Sequence, residues 1–317
     1  MLSRVAERVY WLARYIERAE NTARMVMSFH LVSLDMPKTV PLTWKNLVAV
    51  TGNDDIFDEH YQREDERNCV KFLLADHYNS SSVFSSLKSA RENVRTTRDL
   101  VPSEAWEIVN ELFLFARDNM DSGLGKRGRY QFLTEVVQRC QTLTGLLAGC
   151  MSHDPAYDFI RLGRNLERAD MTSRQIDVGA YRLLKRPEDD VAAPYDGLLW
   201  TSILRSQSGF QMYRQHVKRR INGVDVVRFL LQDIPFPRAV AHALQNVQEA
   251  IERLPRNEVP LRLVMQARRH VLGAEVDHLI TEDRLHEFVD TLQQDVAGVH
   301  GAIVDTWFAL DKLDKAA

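Results

Sequence analysis

Residues 12–24 and 162–174 of this chain are two copies of one motif, and this repetition restricts the possible folds more than any other feature. The first copy reads LARYIERAENTAR and the second reads LGRNLERADMTSR. At a constant offset of 150 residues, seven of the thirteen positions are identical, among them Glu17 and Glu167. The chain is therefore predicted to be a tandem duplication, with one repeat over residues 1–153 and the other over residues 154–317, packed into one compact domain.

Each copy has the periodicity of an amphipathic helix. Leu12, Ile16, Ala19 and Ala23 fall on one face when successive residues are wound at about 100°. The opposite face carries polar and charged side chains, namely Arg14, Glu17, Arg18, Asn21 and Arg24. Short side chains at Ala19 and Ala169 would allow close approach on the apolar side, so the two motif helices are predicted to pack together.

The charged face also holds Tyr10, Ile160 and Met171, which indicates partial burial. Because buried arginines need carboxylate partners, Glu17 and Glu167 are predicted to contact arginines of other helices. Such a network is either architectural or part of a ligand or catalytic site, since charged groups are perturbed in both. The candidate binding residues of this face are Arg14, Arg18, Arg24, Arg164, Arg168 and Arg174.

Composition favours helices and disfavours several classes of site. Ten prolines and 14 glycines among 317 residues, with 45% hydrophobic residues, are typical of long helices rather than a turn-rich β fold. The net charge of -3 argues against a general affinity for nucleic acid. Three cysteines without CxxC spacing encode neither a disulfide framework nor a zinc site. We expect this chain to bind no metal and no cofactor of its own.

The sequence offers no membrane-spanning stretch. Charges at Arg4, Glu7 and Arg8 interrupt any signal-peptide core at the start. The longest uncharged run, residues 140–153, is too short to cross a bilayer. We therefore expect a soluble, cytoplasmic protein.

A second repeated block lies downstream of the motif in each half. VKFLLAD at residues 70–76 matches VRFLLQD at residues 227–233 with an offset of 157, and Trp44 matches Trp200 with an offset of 156. Helix start and stop signals then predict about six helices per half, and so a closed all-α bundle without a sheet. The predicted helices include residues 3–34, 80–99, 103–121, 129–152, 155–187, 198–216, 237–254, 260–280 and 284–313.

Three polar positions flank the second block. Asp76 and Asp233 end a short apolar helix, where a carboxylate opposes the negative end of the helix dipole. They either cap the following helix or belong to a site. Arg238 lies at a predicted helix start, where its guanidinium and free backbone N–H groups could bind an anion together. The first half has Ser81 at the matching position, so the halves need not share a ligand.

The densest polar cluster on a predicted helix is ARENVR at residues 90–95. Its counterpart in the second half keeps Glu249 but loses the arginines and the asparagine. The loss fits a solvated helix, or a site confined to one half in which arginines bind phosphate or carboxylate. In the second case a cleft for an anion or a partner is formed by Arg91, Glu92, Asn93 and Arg95, with Arg14 and Glu17 nearby. No Ser/His/Asp, Cys/His or HExxH arrangement is present.

With these residues in view, the chain resembles the bacterial alpha-E family, named for an all-helical domain with an E-R motif. The resemblance rests on LSRVAERVYWLARYIERAENTAR at residues 2–24, DHYNSSS at 76–82, ARENVR at 90–95, LGRNLERADMTSR at 162–174 and FLLQDIPFPRAV at 229–240. It implies a functional link to circularly permuted ATP-grasp amidoligases, which would use ATP and magnesium themselves. It also implies transglutaminase-like and proteasome-like peptidase proteins as further partners.

Two functions are compatible with these features. In the first, the chain is a helical subunit of a peptide- or amide-forming system. It either shapes the acceptor site of the ATP-grasp partner or binds the peptide. A homo-oligomer of the chain is compatible with this role. In the second, the chain is itself an enzyme that uses Glu17 or Glu167 as acid or base and arginines to hold a carboxylate or acyl phosphate. The first is favoured, and copurification with the ligase would distinguish them.

Overall fold

The structure, a computed structural model, describes residues 3–37, 42–184 and 195–309, with the backbone alone at residues 180–184. In these ranges the chain has sixteen α-helices, one π-helical segment and no strand. The predicted all-α class is therefore confirmed. None of the described helices has an apolar stretch sufficient to cross a membrane.

Each predicted half of the chain contains eight of the described α-helices. The first half contains α1 Ser3–Asp35, α2 Lys45–Thr51, α3 Asp54–His60, α4 Glu66–Leu74, α5 Val83–Arg95, α6 Ser103–Asp118, α7 Met120–Leu124 and α8 Arg129–Cys150. The second half contains α9 Pro155–Leu184, α10 Asp196–Ser206, α11 Phe210–His216, α12 Gly223–Gln232, α13 Val240–Glu252, α14 Glu258–Leu272, α15 Val276–Thr281 and α16 Leu285–Ile303, followed by the π-helical Val304–Phe308.

The prediction of about six helices per half was too low, because eight occur in each described half. The predicted helix over 198–216 is interrupted at Ser208, whose φ of 52° cannot continue a right-handed helix. Likewise, the region 260–280 divides into α14 and α15, and the helix predicted over 103–121 ends at Asp118. Residues 38–41 of the linker predicted over 37–41, and the predicted helix ends at Pro187 and Leu313, lie outside the described residues.

Several helices begin at side-chain caps, as the sequence signals predicted. The Ser82 hydroxyl accepts the backbone N–H of Ser85 at the start of α5, at 3.1 Å. At the start of α9, the Asp154 carboxylate accepts the N–H of Ala156 at 2.9 Å, next to Pro155 at the first helical position. These caps fix where α5 and α9 enter the bundle, and so which residues face its centre.

The motif helices α1 and α9 pack against each other, as predicted. Ala19 and Ala169 are fully buried, and the closest approach occurs at Gly163. A Cβ built on Gly163 would lie 2.2 Å from the carbonyl oxygen of Tyr10 and 3.3 Å from the Ala13 Cβ. Only a glycine allows the two backbones to come this close, and the crossing fixes which side chains of the two helices face one another.

The remaining helices surround this central pair. Helix α1 also packs against α5, α8 and α10, whereas α9 packs against α13, α16 and α2. The motif helices therefore contribute most of their surface to the core, and their polar faces are buried as well. The approximate two-fold relation between the halves stays a prediction.

Candidate functional site

The centre of the crossing between α1 and α9 holds buried ion pairs that connect the two halves. Glu167 on α9 is 1% exposed. It accepts the Nε of Arg14 at 2.7 Å, the Nε of Arg18 at 2.5 Å and the Nη2 of Arg18 at 3.0 Å. Both arginines belong to α1, so the carboxylate of one motif is neutralised by guanidinium groups of the other.

Glu17 on α1 has the reciprocal arrangement and is also 1% exposed. Arg168 of α9 donates its Nε and Nη2 to the two carboxylate oxygens, each at 2.9 Å. Arg238, just before α13, donates Nη1 to Glu17 at 3.0 Å. The prediction that Glu17 and Glu167 contact arginines of other helices is confirmed.

Arg238 also binds two further residues of the first motif. Its Nη2 donates to Glu20 at 2.6 Å, and its Nη1 donates to the side-chain oxygen of Asn21 at 2.6 Å. Glu20 in addition accepts the Nε of Arg24 at 2.8 Å. The guanidinium of Arg238 thus completes the buried charge network on this side of the crossing.

Arg164 has different contacts from its motif counterpart Arg14, because Arg238 bonds Glu17. Its motif counterpart Arg14 bonds Glu167, but the Nε of Arg164 is buried and has no hydrogen-bond partner among the described residues. Burial and the neighbouring charge of Arg168 lower the pKa of Arg164. Glu17 already accepts Arg168 and Arg238, which leaves Arg164 beside a small cavity of about 20 Å³, enough for about one water molecule.

The two central glutamates are held in the ionised form. Burial alone would raise the pKa of Glu17, but the charges of Arg168 and Arg238 lower it to about 2. Burial also opposes ionisation of Glu167, while Arg18 and Arg14 lower its pKa to about 2. A general base works best when its pKa lies near the operating pH. Both glutamates are therefore poor proton acceptors at neutral pH and instead anchor arginines.

An open polar pocket of about 200 Å³ lies beside Glu167. Residues from α1, α9, the end of α2 and the loop before α5 surround it, chiefly Arg18, Thr22, Thr51, Ser81, Asp170 and Arg174. Arg174 donates its Nε to Asp170 at 3.0 Å, and its Nη1 lies against Gly52. Gly52 has a φ of 67°, a conformation that favours glycine, and a Cβ there would lie 2.7 Å from that Nη1, so the tip of Arg174 would have to shift.

Asp76 and Asp233 organise loops rather than cap the helices that follow. Asp76 accepts the backbone N–H of Tyr78 at 2.8 Å and the hydroxyl of Tyr61. Asp233 accepts the N–H of Phe236 at 2.8 Å and lies 2.9 Å from Nδ1 of His216. The capping interpretation of both was wrong, since α5 is capped by Ser82 and α13 has no side-chain cap.

The residues of the ARENVR cluster do not face one cleft. Arg91 donates to the Asn110 side chain at 2.7 Å and lies over the rings of Trp106 and Phe113, so it serves the α5–α6 contact. Arg95 forms an exposed ion pair with Glu92 at 2.6 Å. A surface groove of about 350 Å³ is lined by the remaining face of α5 and by α1, through Arg8, Trp11, Tyr15, Glu92 and Asn93. Arg14 and Glu17 lie instead in the buried network.

Sequence reasoning missed two features. The pocket residues Thr22 and Ser81 were not among the candidates, although the 157-residue offset between Ser81 and Arg238 marks the one place where a central arginine is replaced by a small side chain. Arg129, 1% exposed, was predicted only as the first residue of a helix, with no buried contacts. It donates to Glu66 at 2.7 Å and to the Leu124 carbonyl at 3.1 Å. A basic residue after a Gly-rich turn carries no sequence signal of such burial.

One group of described side chains has the spacing of metal ligands. Atoms of Asp177, His286 and Asp290 lie within 4.8 Å of one another, with His286 Nδ1 2.7 Å from Asp177. His286 and Asp290 are exposed. Such groups are common on protein surfaces as hydrogen-bonded ion pairs, and this one lies apart from the buried network.

The reciprocal Glu–Arg pairs give structural meaning to the family comparison. The family described as "a predicted alpha-helical domain with a conserved ER motif" matches residues 1–308. The chain belongs to the Alpha-E family. In this member, the E-R pairs Glu17–Arg18 and Glu167–Arg168 lie at the crossing of α1 and α9, where each glutamate accepts the arginine of the other motif.

Curated relatives of this Alpha-E protein come from mycobacteria. An uncharacterized protein of Mycobacterium bovis is 21% identical over 325 residues, covering 95% of this chain and 36% of the relative. Two uncharacterized proteins of Mycobacterium tuberculosis are 21% and 20% identical over the same length and with the same coverage. This chain thus spans about a third of the length of these relatives. No solved structure matches it.

Proposed function

We propose that this Alpha-E protein is a helical accessory subunit of an amide-forming system whose catalytic partner is a circularly permuted ATP-grasp ligase. The ligase supplies the chemistry with its own ATP and magnesium. The Alpha-E chain binds the ligase, or binds an amino acid or anionic peptide that the ligase uses. The proposal rests on membership of the Alpha-E family. It rests also on the ion pairs of the E-R motif, in which the carboxylates of both glutamates are occupied by arginines of the same chain.

The single observation that carries the accessory role is the state of the two motif glutamates. Each is 1% exposed, has a pKa of about 2 and accepts at least three guanidinium hydrogen bonds. A catalytic carboxylate must reach substrate and exchange a proton with it. Glu17 and Glu167 meet neither condition, so the geometry disfavours the alternative of a stand-alone enzyme that uses them.

The architecture of the relatives supports joint action with other domains. The matched region makes up 36% of the Mycobacterium bovis relative, so about two thirds of that protein lies outside it. A helical unit joined to further chain in one protein is compatible with a separate subunit that binds such a partner in another. We propose the same relation for this chain and the ligase.

The groove between α1 and α5 is the proposed partner-binding surface. Trp11 and Tyr15 form a stacked pair with ring centroids 5.3 Å apart and are only partly buried against the core. Arg8 and Glu92 supply charges of both signs at its rim. Aromatic residues flanked by charged side chains are typical of protein–protein contact surfaces.

Coexpression of this chain with a circularly permuted ATP-grasp ligase from the same organism tests the proposal. We expect the two proteins to copurify, and we expect the ligase to form amide bonds faster with the chain present than alone. Arg8→Glu should weaken copurification at least tenfold, whereas the matched control Arg127→Glu, on the exposed turn before α8, should not. The accessory role would be contradicted if the Alpha-E chain alone formed amide bonds. It would also be contradicted if the rate of amide formation by the ligase were the same with and without the chain.

We further propose that the chain arose by tandem duplication. Helices α3 and α11 match at an offset of 156 residues and α5 and α13 match at 157, in addition to the motif offset of 150. An experimental structure in which α1–α8 superpose on α9–α16 would support this. A different packing order of the eight helices in the two halves would contradict it.

A further inference from the structure

The pocket beside Glu167 has a counterpart beside Glu17, and there the space is filled by an arginine side chain of the second half. The sequence offsets pair Glu167 with Glu17, Asp170 with Glu20, and Ser81 with Arg238. On the second-half side, the Arg238 guanidinium occupies the position and donates to Glu17 and Glu20. Ser81 is too short to do the same, and the space is an open pocket of about 200 Å³.

A buried hydroxyl at the wall of this pocket has no partner. Thr22 is 0% exposed, lines the pocket, and its Oγ1 makes no hydrogen bond within the described residues. Its motif counterpart Thr172 donates to the Arg238 carbonyl at 3.2 Å. Buried polar groups in proteins are nearly always hydrogen-bonded, so an unpartnered hydroxyl at a pocket wall is available to bond a molecule in the pocket.

The charges around the pocket indicate the class of ligand. Arg18 and Arg174 bring guanidinium groups whose terminal nitrogens are only partly used. Asp170 accepts Arg174 on one oxygen, and its second oxygen has no donor among the described residues. The two arginines and the carboxylates of Glu167 and Asp170 sum to a formal charge of zero. A dianion would face two carboxylates and a simple cation would face two guanidiniums, whereas a small molecule with both charges matches the lining.

We propose that this pocket binds a small zwitterion, a free α-amino acid. The carboxylate of the ligand lies at Arg18 and Arg174, its ammonium lies at the free oxygen of Asp170, and Thr22 hydrogen-bonds it. The volume of about 200 Å³ is below the range of drug-sized sites and suits one amino-acid unit. The inference deepens the proposed function, because it names the molecule class that the accessory subunit would hold for the ligase.

Calorimetric titration of the isolated full chain tests the pocket without the ligase. The twenty proteinogenic amino acids are titrated in pools and then singly, and the best is compared with its N-acetyl and amide derivatives, a dipeptide, acetate and inorganic phosphate. We expect saturable binding of a free amino acid, and at least a tenfold loss on blocking the ammonium or the carboxylate. A dipeptide carries its ammonium and its carboxylate on different residues, so it should bind at least tenfold more weakly than the free amino acid, and equal or tighter binding of the dipeptide would overturn the inference. Phosphate or acetate as the tightest ligand, or no zwitterion that binds at millimolar concentration, would overturn the inference.

Two variants assign the binding to this pocket. Ser81→Arg places an arginine where the second half has Arg238, and it should abolish binding without lowering the thermal midpoint. The control Ser80→Arg makes the same change one residue away at an exposed position, and it should bind like wild type. Asp170→Asn, which needs no repacking, should weaken binding at least tenfold. Wild-type affinity in both Ser81→Arg and Asp170→Asn would overturn the inference, even if the chain copurifies with the ligase.

Discussion

At the scale of single residues, the E-R motif is a reciprocal exchange of charge between two helices. Glu17 forms ion pairs with Arg168 and Arg238, and Glu167 forms ion pairs with Arg14 and Arg18. Charges this deeply buried are tolerated only because each carboxylate is fully hydrogen-bonded, and removal of one partner leaves the other uncompensated. The two motif glutamates are therefore constrained by their arginine partners.

Neutralising one of these glutamates should destabilise the whole protein. Glu167→Gln keeps the shape of the side chain but leaves Arg14 and Arg18 buried without a counter-charge. We expect a loss of about 3 to 5 kcal/mol in the free energy of unfolding, measured in urea by circular dichroism. Glu59→Gln, an exposed control on α3, should change it by less than about 0.5 kcal/mol. Equal free energies of unfolding for the two variants would show that the buried ion pairs of Glu167 do not stabilise the fold.

Acid should unfold the protein through the same two carboxylates. Their pKa is about 2 in the folded state and 4.5 in the unfolded state. Ionisation of the two carboxylates therefore stabilises the folded state fully at a pH above about 4.5. This contribution, about 3 kcal/mol for each glutamate, is lost as the pH falls from about 4.5 towards about 2. Unfolding free energies measured across this range should decline steeply in the wild type and less steeply in Glu17→Gln. Parallel curves for the two proteins would contradict the assignment.

At the scale of elements, the decisive feature is the crossing of α1 and α9 at Gly163. The sequence predicted that these helices pack together, because the small residues of the motif recur at the same positions in both copies. It could not predict that Arg238 enters the network, since that contact joins residues more than 200 positions apart through a loop. Nor did it place Arg91, whose contacts with Trp106 and Asn110 depend on how α5 packs against α6.

A methyl group at the crossing should cost stability in spite of better helix propensity. In Gly163→Ala the new Cβ would overlap the Tyr10 carbonyl oxygen, and the backbones must separate, at a cost of about 1 to 3 kcal/mol. Gly145→Ala in α8, where nothing lies within 4 Å of the new Cβ, should instead gain about 0.5 to 1 kcal/mol. The two changes in thermal midpoint should have opposite signs. A stabilised Gly163→Ala would show that the helices do not approach this closely.

At the scale of the whole molecule, neither half holds a complete set of charge partners. The all-helical class and the contact between the motif helices could be predicted from the repeat, because periodicity reports which face of a helix is buried. The number of helices could not, since short elements such as α3, α7, α11 and α15 depend on tertiary contacts more than on local propensity. The open pocket could not be predicted either, because the position of Arg238 between Glu17 and Glu20, and so the effect of Ser81 at the matching place, depends on tertiary contacts.

The halves should not fold independently. Residues 1–153 expressed alone would keep Glu17 without Arg168 and Arg238, and would expose the face of α1 that packs on α9. We expect this fragment, and residues 154–317 alone, to lack a cooperative unfolding transition, and we expect the full chain to unfold in a single transition. A sharp transition in either fragment would indicate two autonomous domains instead.

A double-mutant cycle between Glu17 and Arg168 tests most directly whether the E-R motif is a structural link between the two halves. The cycle compares urea unfolding of wild type, Glu17→Gln, Arg168→Met and the double variant. Because two hydrogen bonds of 2.9 Å join these buried groups, we predict a coupling energy of at least about 1.5 kcal/mol. The exposed pair Glu92 and Arg95, treated in the same way, should give less than about 1 kcal/mol. A coupling at Glu17 and Arg168 no larger than that of the exposed pair would contradict the structural role of the motif.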